Sequence, residues 1–382
     1  MEGALMRVLH TNFLRGWGGQ SNRILMECRG LAERGWEVLL SVPRDSELAK
    51  RARAAGLAVD ERVGYESLIR SVAHGDVKRF RTLLREFRPD IVHLHGGRDS
   101  WIAALALMGY RPRPIVVRTK HNVFPIANHP ANRWMYGRFF DHIVCISSAI
   151  VAQCAEKRYI APSRLVLIPS ACEVGIFEHA REARPARREE FGFQPNEVVV
   201  VMSGRLRPEK GHDLLLAAMP RILEAAPHTR FLLLGSGSLK GELEAQLERQ
   251  QLTPYVRVVG FRTDVAECLA AADIAVQPSR SEGLGTAVLE ASAAGLPVVA
   301  TRVGGIPDIV VHAETGFLVE PDNPQELADA VLRLVRDPEL RVSLGSAGRA
   351  RVAKLFSVEA LVEKTDAFYR KILAQSVNRS IG

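Results

Sequence analysis

Apolar residues in this chain come in short runs separated by stretches of helical spacing, and the rhythm breaks once and then restarts. The first series is "MRVLHTNF" (6–13), "EVLLSVP" (37–43), "DIVHLH" (90–95), "PIVVRTK" (114–120), "HIVCIS" (142–147) and "RLVLIPSA" (164–171). Each run has strand length, and amphipathic stretches such as 22–34 lie between them. That alternation predicts a mostly parallel, doubly wound sheet. "EHAREARPARREEFGFQPNE" (178–197) then interrupts it; this segment is charged, contains prolines and has no apolar period, so it reads as a linker. The rhythm resumes with "EVVVVMSG" (197–204), "RFLLLGSG" (230–237), "VRVVGF" (256–261), "IAVQPS" (274–279) and "PVVAT" (297–301). The tail, roughly 325–378, reads as helical with no new strand. At 382 residues the chain is long for one core. The expected architecture is α/β, with two Rossmann-like domains facing a central cleft and a ligand at the carboxyl ends of the strands.

Several classes are disfavoured. No stretch approaches the roughly 18 consecutive apolar residues of a membrane span. The start, "MEGALMRVLHTNF", lacks the basic and apolar regions of a secretory leader. The expected location is therefore the cytoplasm. The five cysteines (28, 145, 154, 172, 268) show no CxxC spacing, which argues for buried thiols rather than a disulfide framework or zinc site. Residues 1–200 hold 30 Lys/Arg against 21 Asp/Glu, whereas 201–382 hold 21 against 22. A basic first half suits a polyanion or an anionic membrane surface. Without an aromatic-interleaved basic run, nucleic acid is not the expected partner.

Three motifs fall in loops after predicted strands. In "RGWGGQSNR" (15–23), Gly16, Gly18 and Gly19 would let backbone amides approach an anion at a helix start, although the spacing is not GxGxxG. In "SGRLRPEKGHD" (203–213), Arg205 and Lys210 are placed for a diphosphate, with Arg207 turned to solvent; a solvated basic turn is the plainer alternative. In "SRSEGLGTAVLEASAAGLPVVAT" (279–301), Thr286 would cap a helix running from Ala287 to Ala294. Glu282 then lies in the loop and Glu290 on the helix. Their carboxylates can accept from hydroxyls, while the amides of Gly283, Leu284, Gly285 and Thr286 can donate to an anion. A sugar nucleotide presents both kinds of group. Two surface glutamates on an amphipathic turn are the alternative, but the small residues around them suggest close packing.

"SGRLRPEKG", "VVGF…DVAECLAAADIAVQPSRSEGLGTAVLEASAAGLPVVATRVGGIPDIV" and "GFLVEPDNPQELADAV" together resemble the family-4 (GT4) retaining glycosyltransferases of GT-B fold. The first half is similar to the family more loosely, through "GGQSNR", "RPDIVHLHGG", "RTKHN" and "HIVCIS". The resemblance implies an acceptor-binding domain over 1–180, a nucleotide-sugar-binding domain over 181–355, and a closing helix (about 356–382) that returns to the first domain. It implies that Glu290 binds ribose hydroxyls and Glu282 the transferred sugar. Arg205 and Lys210 would hold the diphosphate, approached by Gly18 and Gly19. Gly260, Phe261 and Arg262 would wall the base, largely through backbone. His121 would face the donor sugar. Leu284 stands where relatives often have Phe, and Asn122 where they often have Asp.

His95 and Asn122 are the acceptor-side candidates; of His93 and His95, only one is expected to face the ligand, and His95 ends its run. The implied reaction transfers a hexose-type sugar from a UDP-sugar, or next from GDP-mannose, to a saccharide or lipid-linked acceptor of cell-surface glycan, lipopolysaccharide or glycolipid synthesis. The catalytic set would be His121, Glu282, Arg205 and Lys210. No Asp-x-Asp is present, so no metal or other cofactor is expected. "VKRFRTLLREFR" (77–88) puts Lys78, Arg81, Arg85 and Arg88 on one helical face and Phe80, Leu83, Leu84 and Phe87 on the other. That pattern fits a helix packed on a core, or one lying on the inner face of the membrane. A sugar-nucleotide epimerase of similar fold and a non-catalytic nucleotide-sugar-binding partner are the competing readings.

Overall fold

The computed structural model describes residues 5–381, so the first four residues and Gly382, which the expected domain bounds include, lie outside the described residues. The chain divides into two compact units. One comprises residues up to Ser170 together with the segment from Val358; the other is Ala171–Ser357. The first division falls before the expected boundary near 180. The supposed linker is the reason: it folds as the helices Val174–His179 and Arg184–Phe191, and belongs wholly to the second unit. Two of its arginines are committed to main-chain carbonyls and to Asp273, while Arg181 stays exposed. Arg184 donates to the carbonyls of Ala270 (2.9 Å) and Ala272 (2.6 Å) and pairs with Asp273 at 2.6 Å. Arg188, buried, donates to the carbonyls of Gln194 and Glu197.

The first unit holds a seven-stranded sheet of β1 (Arg7–Thr11), β2 (Glu37–Ser41), β3 (Ala58–Asp60), β4 (Ile91–Leu94), β5 (Ile115–Lys120), β6 (His142–Cys145) and β7 (Leu165–Leu167). Its strand order is β3-β2-β1-β4-β5-β6-β7, with every pairing parallel. The second unit holds β8 (Val198–Ser203), β9 (Thr229–Leu234), β10 (Val256–Gly260), β11 (Ile274–Gln277), β12 (Val298–Thr301) and β13 (Gly316–Val319), in the order β10-β9-β8-β11-β12-β13, again all parallel. Helices cover both faces of such sheets, so central strands need no polar face; "VVVVM" of β8 is buried along most of its length. The short edge strands β3 and β13 escape the sequence pattern. Among the described residues all five cysteines are buried and free, as the scattered spacing predicts.

In both sheets the order reverses once, between β1 and β4 and between β8 and β11. Loops leaving the carboxyl ends of strands diverge at such a point and leave room for a ligand. Gly18, Gly19 and His95 follow strands at the first of these places and Arg205, Lys210, Glu282 and Glu290 at the second, whereas His121 and Asn122 follow β5 and Gly260, Phe261 and Arg262 the edge strand β10.

Helix Val358–Ile381 belongs to the first unit and packs on helix Gly19–Glu33. Thr365 donates to Glu27 (2.9 Å) and Trp36 Nε1 to Asp366 (2.7 Å), which ties the last helix to the sheet that the first 170 residues build.

Candidate active site

The loops after β8 and β11 meet in the second unit. Leu206, buried, anchors the first loop, while Arg205 and Arg207 on either side are exposed. The loop then makes a single 3-10 turn, Pro208–Lys210, closed by Gly211 at φ +74°. A Cβ at Gly211 would fall 1.9 Å from the carbonyl oxygen of Pro278. Only glycine allows this approach, and the approach sets Lys210 Nζ 2.6 Å from Glu282 Oε1. Ser279 Oγ donates to the same oxygen at 2.8 Å. Both side chains of the ion pair are largely buried. All described bonds to the Glu282 carboxyl converge on Oε1, which leaves Oε2 for a hydroxyl. On the far side, Gly304 at φ +53° passes so close to the Glu282 carbonyl that a Cβ there would sit 1.8 Å from it.

Arg280, which the sequence reading passed over, stitches this arrangement together. Its guanidinium forks onto Asp213 (2.8 and 2.7 Å), donates to the carbonyl of Pro208 (3.1 Å) and reaches Asp322 at 2.7 Å. An Arg-x-Glu spacing after an apolar strand was the only signal for it.

Glu290 is on the helix Thr286–Ala293, which starts differently from expectation. Gly285, at φ +107°, is the capping residue; Thr286 is already helical, and no side-chain cap is formed. The first amides of the helix therefore keep no side-chain partner, as suits an anion site. Leu284 is buried, so only its backbone can touch a ligand. The two glutamates differ electrically. Glu282 has a cation on it; Glu290 has none, nor any described hydrogen bond to its carboxyl. Desolvation pushes the Glu290 carboxyl up to about 7. Its neighbour Cys172, whose Sγ lies 3.9 Å from the Leu289 carbonyl, has its thiol raised to about 12 by burial and by Glu290.

Arg262 is committed elsewhere in the unit. Its guanidinium forks onto Asp264 (2.7 and 2.6 Å) and reaches Glu190 at 3.1 Å, so the side chain is not free for a ligand and only the backbone of 260–262 remains available. Phe261 beside it is 70% exposed.

In the first unit, Gly18 and Gly19 begin the helix Gly19–Glu33, three residues earlier than expected, and both are exposed. A Cβ at Gly18 would meet nothing within 4 Å. Gly18→Ala should therefore leave the thermal midpoint unchanged within about a degree, and any loss of function would report on a ligand. Gly211→Ala, by contrast, should lower the midpoint by several degrees, because it adds left-handed strain of about 1–2 kcal/mol to a backbone clash. Differential scanning calorimetry of the two variants checks the contrast.

His121 follows β5 and is half-buried; its Nε2 lies 2.9 Å from His95 Nδ1. His95 Nε2 lies 3.1 Å from His10 Nδ1. The expectation that only one of His93 and His95 faces the site is corrected. Residues two apart share a face, and the two rings stack with centroids 4.3 Å apart. His95 is also corrected as an acceptor contact: it is buried and both its nitrogens are turned to other histidines. Asn122 is exposed, but its Oδ1 is used by the Phe124 amide (3.2 Å) and the Lys120 ammonium (3.4 Å) to shape the loop. Burial lowers Lys120 to about 8.

Among the described residues, His10, Glu27, His93 and His95 bring ligand-type atoms within 4.8 Å of one another. They do not converge as a metal site. His10 Nδ1 and His95 Nε2 face each other edge to edge at 3.1 Å, and both His93 nitrogens are taken by Tyr369 and Thr119, so the lone pairs are spent within the run rather than aimed at one centre. Arg23, buried, already sets its charge 3.7 Å from Glu27 and donates to the carbonyls of Ile168 and Pro169.

Comparison with known proteins divides the chain at nearly the same place. The family model "Glycosyltransferase Family 4" matches residues 17–175, and "Glycosyl transferases group 1" matches 183–351. A D-inositol 3-phosphate glycosyltransferase of Segniliparus rotundus is 35% identical over 218 residues, which cover 56% of this chain and 48% of that protein. A GDP-mannose-dependent monoacylated alpha-(1-6)-phosphatidylinositol monomannoside mannosyltransferase of Corynebacterium glutamicum is 35% identical over 206 residues, covering 52% of this chain and 54% of that one. The chain thus spans about half the length of these two curated relatives. The crystal structure of Anabaena HepE with UDP and glucose superimposes with a TM-score of 0.83 at 21% identity, over 96% of this chain and 99% of that one.

Proposed function

From its membership of the family-4 glycosyltransferases of the GT-B superfamily, we propose that the chain transfers a hexose-type sugar, with retention of configuration, from a nucleotide diphosphate sugar to a saccharide or lipid-linked acceptor. The observation that carries this reading is the cluster at the β8–β11 switch. A lysine and a sugar-type carboxylate acceptor are locked together beside an uncapped helix start, and a second, unpaired carboxyl follows one turn on. Lys210 and Arg205 would take the diphosphate, Glu282 Oε2 a sugar hydroxyl, and Glu290 the ribose. The acceptor hydroxyl would attack the anomeric carbon on the face the diphosphate leaves. The bond from that carbon to the diphosphate oxygen breaks, and the same oxygen takes the acceptor's proton. Lys210, Arg205 and the helix amides offset the charge that develops on the leaving group.

UDP-sugars are the favoured donors, since the similar Anabaena protein was crystallised with UDP and glucose. GDP-mannose comes next, by the name of the Corynebacterium relative. The test is a thermal-shift panel of UDP, GDP, ADP and their sugars, followed by transfer assays with the donor that stabilises most. Conversion of donor without any acceptor would instead mean an epimerase. Tight donor binding with no turnover would mean a binding partner.

The first unit supplies the surface proposed for a lipid-linked acceptor. In helix Asp76–Phe87, Phe80, Leu83 and Leu84 are buried while Lys78 and Arg85 are exposed, with exposed Arg88 just beyond. Next to it, helix Leu68–Ala73 turns Ile69 (84% exposed), Val72 and Leu68 outward beside Arg70. Apolar side chains ringed by cations suit the boundary of an anionic bilayer. No helix among the described residues is long and apolar enough to cross a membrane, so attachment would be peripheral. Flotation with anionic vesicles at low salt should carry the protein, and Ile69→Glu should reduce the bound fraction several-fold. Equal flotation of both proteins, or of neither, would remove this surface from the proposal.

A further inference from the structure

The carboxyl ends of β1, β4 and β5 carry an unbroken run of hydrogen bonds. It passes from His121 through His95 to His10 at 2.9 and 3.1 Å. His10 Nε2 faces the Tyr369 hydroxyl at 3.4 Å, and the same hydroxyl makes a short bond to His93 Nδ1. His93 Nε2 ends the run at Thr119 Oγ1, 2.6 Å away. His10, His93, His95 and Tyr369 are buried. Desolvation, together with the Arg23 cation, brings His10 down to about 3 and holds His93, His95 and His121 well below the usual imidazole range. Burial likewise keeps the Tyr369 phenol protonated. Each ring therefore carries one hydrogen, on one nitrogen or the other. In such a run the choice at one ring forces the choice at the next, since every donor needs a lone pair opposite.

The hydroxyl sets the direction. A phenol, with a pKa of about 10, is a better donor than a neutral imidazole, and imidazole nitrogen is the better acceptor. In the short contact the Tyr369 O–H donates to His93 Nδ1. The Tyr369 oxygen then has only lone pairs for His10, whose Nε2 must hold the hydrogen. His10 Nδ1 accepts from His95 Nε2–H, and His95 Nδ1 accepts from His121 Nε2–H. The Nδ1 of His121 is left as a bare acceptor. We propose that Tyr369, on the last helix, is a positioning residue that sets the tautomer of His121 through His10 and His95, so that His121 offers an acceptor to a substrate hydroxyl. Its consequence for transfer rests on the function proposed above; the tautomer itself does not. The bonds of Thr365 and Asp366, one turn earlier on the same helix, fix where the hydroxyl sits.

Long-range proton–nitrogen correlation spectra of the full chain, labelled with 15N-histidine and assigned with His121→Asn, read the tautomer directly. His121 should be Nε2–H in the wild type. In Tyr369→Phe, His10 loses the acceptor for its Nε2–H and gains by moving the hydrogen to Nδ1, so the run reverses and His121 shifts toward Nδ1–H. The same variant should raise the donor KM about tenfold, the worth of one hydrogen bond of about 1.4 kcal/mol, with a smaller change in kcat. An Nδ1–H tautomer in the wild type, or one tautomer shared by both proteins, overturns the proposal. The wild-type spectrum decides even if the variant folds poorly. Failure of the transfer reading would show differently, as no turnover with any donor in the wild type, and leaves the nitrogen shifts to judge this one.

Discussion

Lys210→Ala is expected to lower kcat/KM for sugar transfer by about 10²–10³-fold, the loss typical when one preorganised donor to a developing oxyanion is removed. The side chain has two partners to satisfy in turn. Without substrate it neutralises Glu282 at 2.6 Å; with a donor bound it would share its remaining N–H groups with the diphosphate. Alanine removes both, and leaves a largely buried carboxylate with Ser279 as its remaining partner. The stability cost is about 1–3 kcal/mol, so the protein should still fold, with a lower midpoint. Arginine should restore part of the activity, since the charge returns on a longer, planar head. Glu282→Ala should be as inactive as Lys210→Ala, and the double variant little worse than either, because the two act as a unit. Full activity in both single variants would sink the assignment of this cluster.

Glu290→Gln should make the protein more stable and worse at binding nucleotide. Burial raises the folded-state carboxyl from its ordinary value of 4.5 to about 7. Between those values the folded protein holds a proton that the unfolded chain has lost, so stability falls as pH rises through that window. Glutamine escapes this loss. Above pH 7 the variant should therefore melt several degrees higher, on the order of 1–3 kcal/mol; below about pH 4.5 the gain should vanish. Binding runs the other way. An ionised carboxylate accepts from ribose hydroxyls more strongly than an amide, by about 1 kcal/mol per bond, so with one or two such bonds UDP-glucose should bind roughly 5–30-fold more weakly to the variant at pH 8. At pH 6 the wild-type carboxyl is largely protonated and the two proteins should converge. Calorimetric affinities that are equal at pH 8, or a difference independent of pH, would remove Glu290 from the ribose site.

Much of this was legible beforehand. Runs such as "VVVVM" and "DIVHLH" announce buried parallel strands because such strands need no polar face, and the restart of the rhythm announces a second sheet. Glu282, Glu290, Arg205 and Lys210 could be singled out because carboxylates and cations stand among glycines and small residues just past strand ends. The misreadings have physical causes. Segment 178–197 looked solvated because composition does not show that Arg184 and Arg188 would find main-chain carbonyls and Asp273. Thr286 looked like a cap, whereas a left-handed glycine lets the chain enter the helix without one. His10 carries no signal of its own, since it stands with Arg7 and Thr11 in a strand already mixed in polarity.

What the sequence determined alone is which groups stand at the end of which strand. The apolar runs set where each strand stops, and the residues just beyond a stop must lie on one edge of the sheet. Only the tertiary structure decided which of those ends are neighbours. Lys210 and Glu282 are 72 residues apart and meet because β8 pairs with β11 rather than with β10. His10, His95 and His121 form one run because β1, β4 and β5 are adjacent, and Tyr369 joins it because the last helix packs on the first unit. Strand order is set by how helices of given length and face pack across a whole sheet, a collective property that no local stretch of sequence contains.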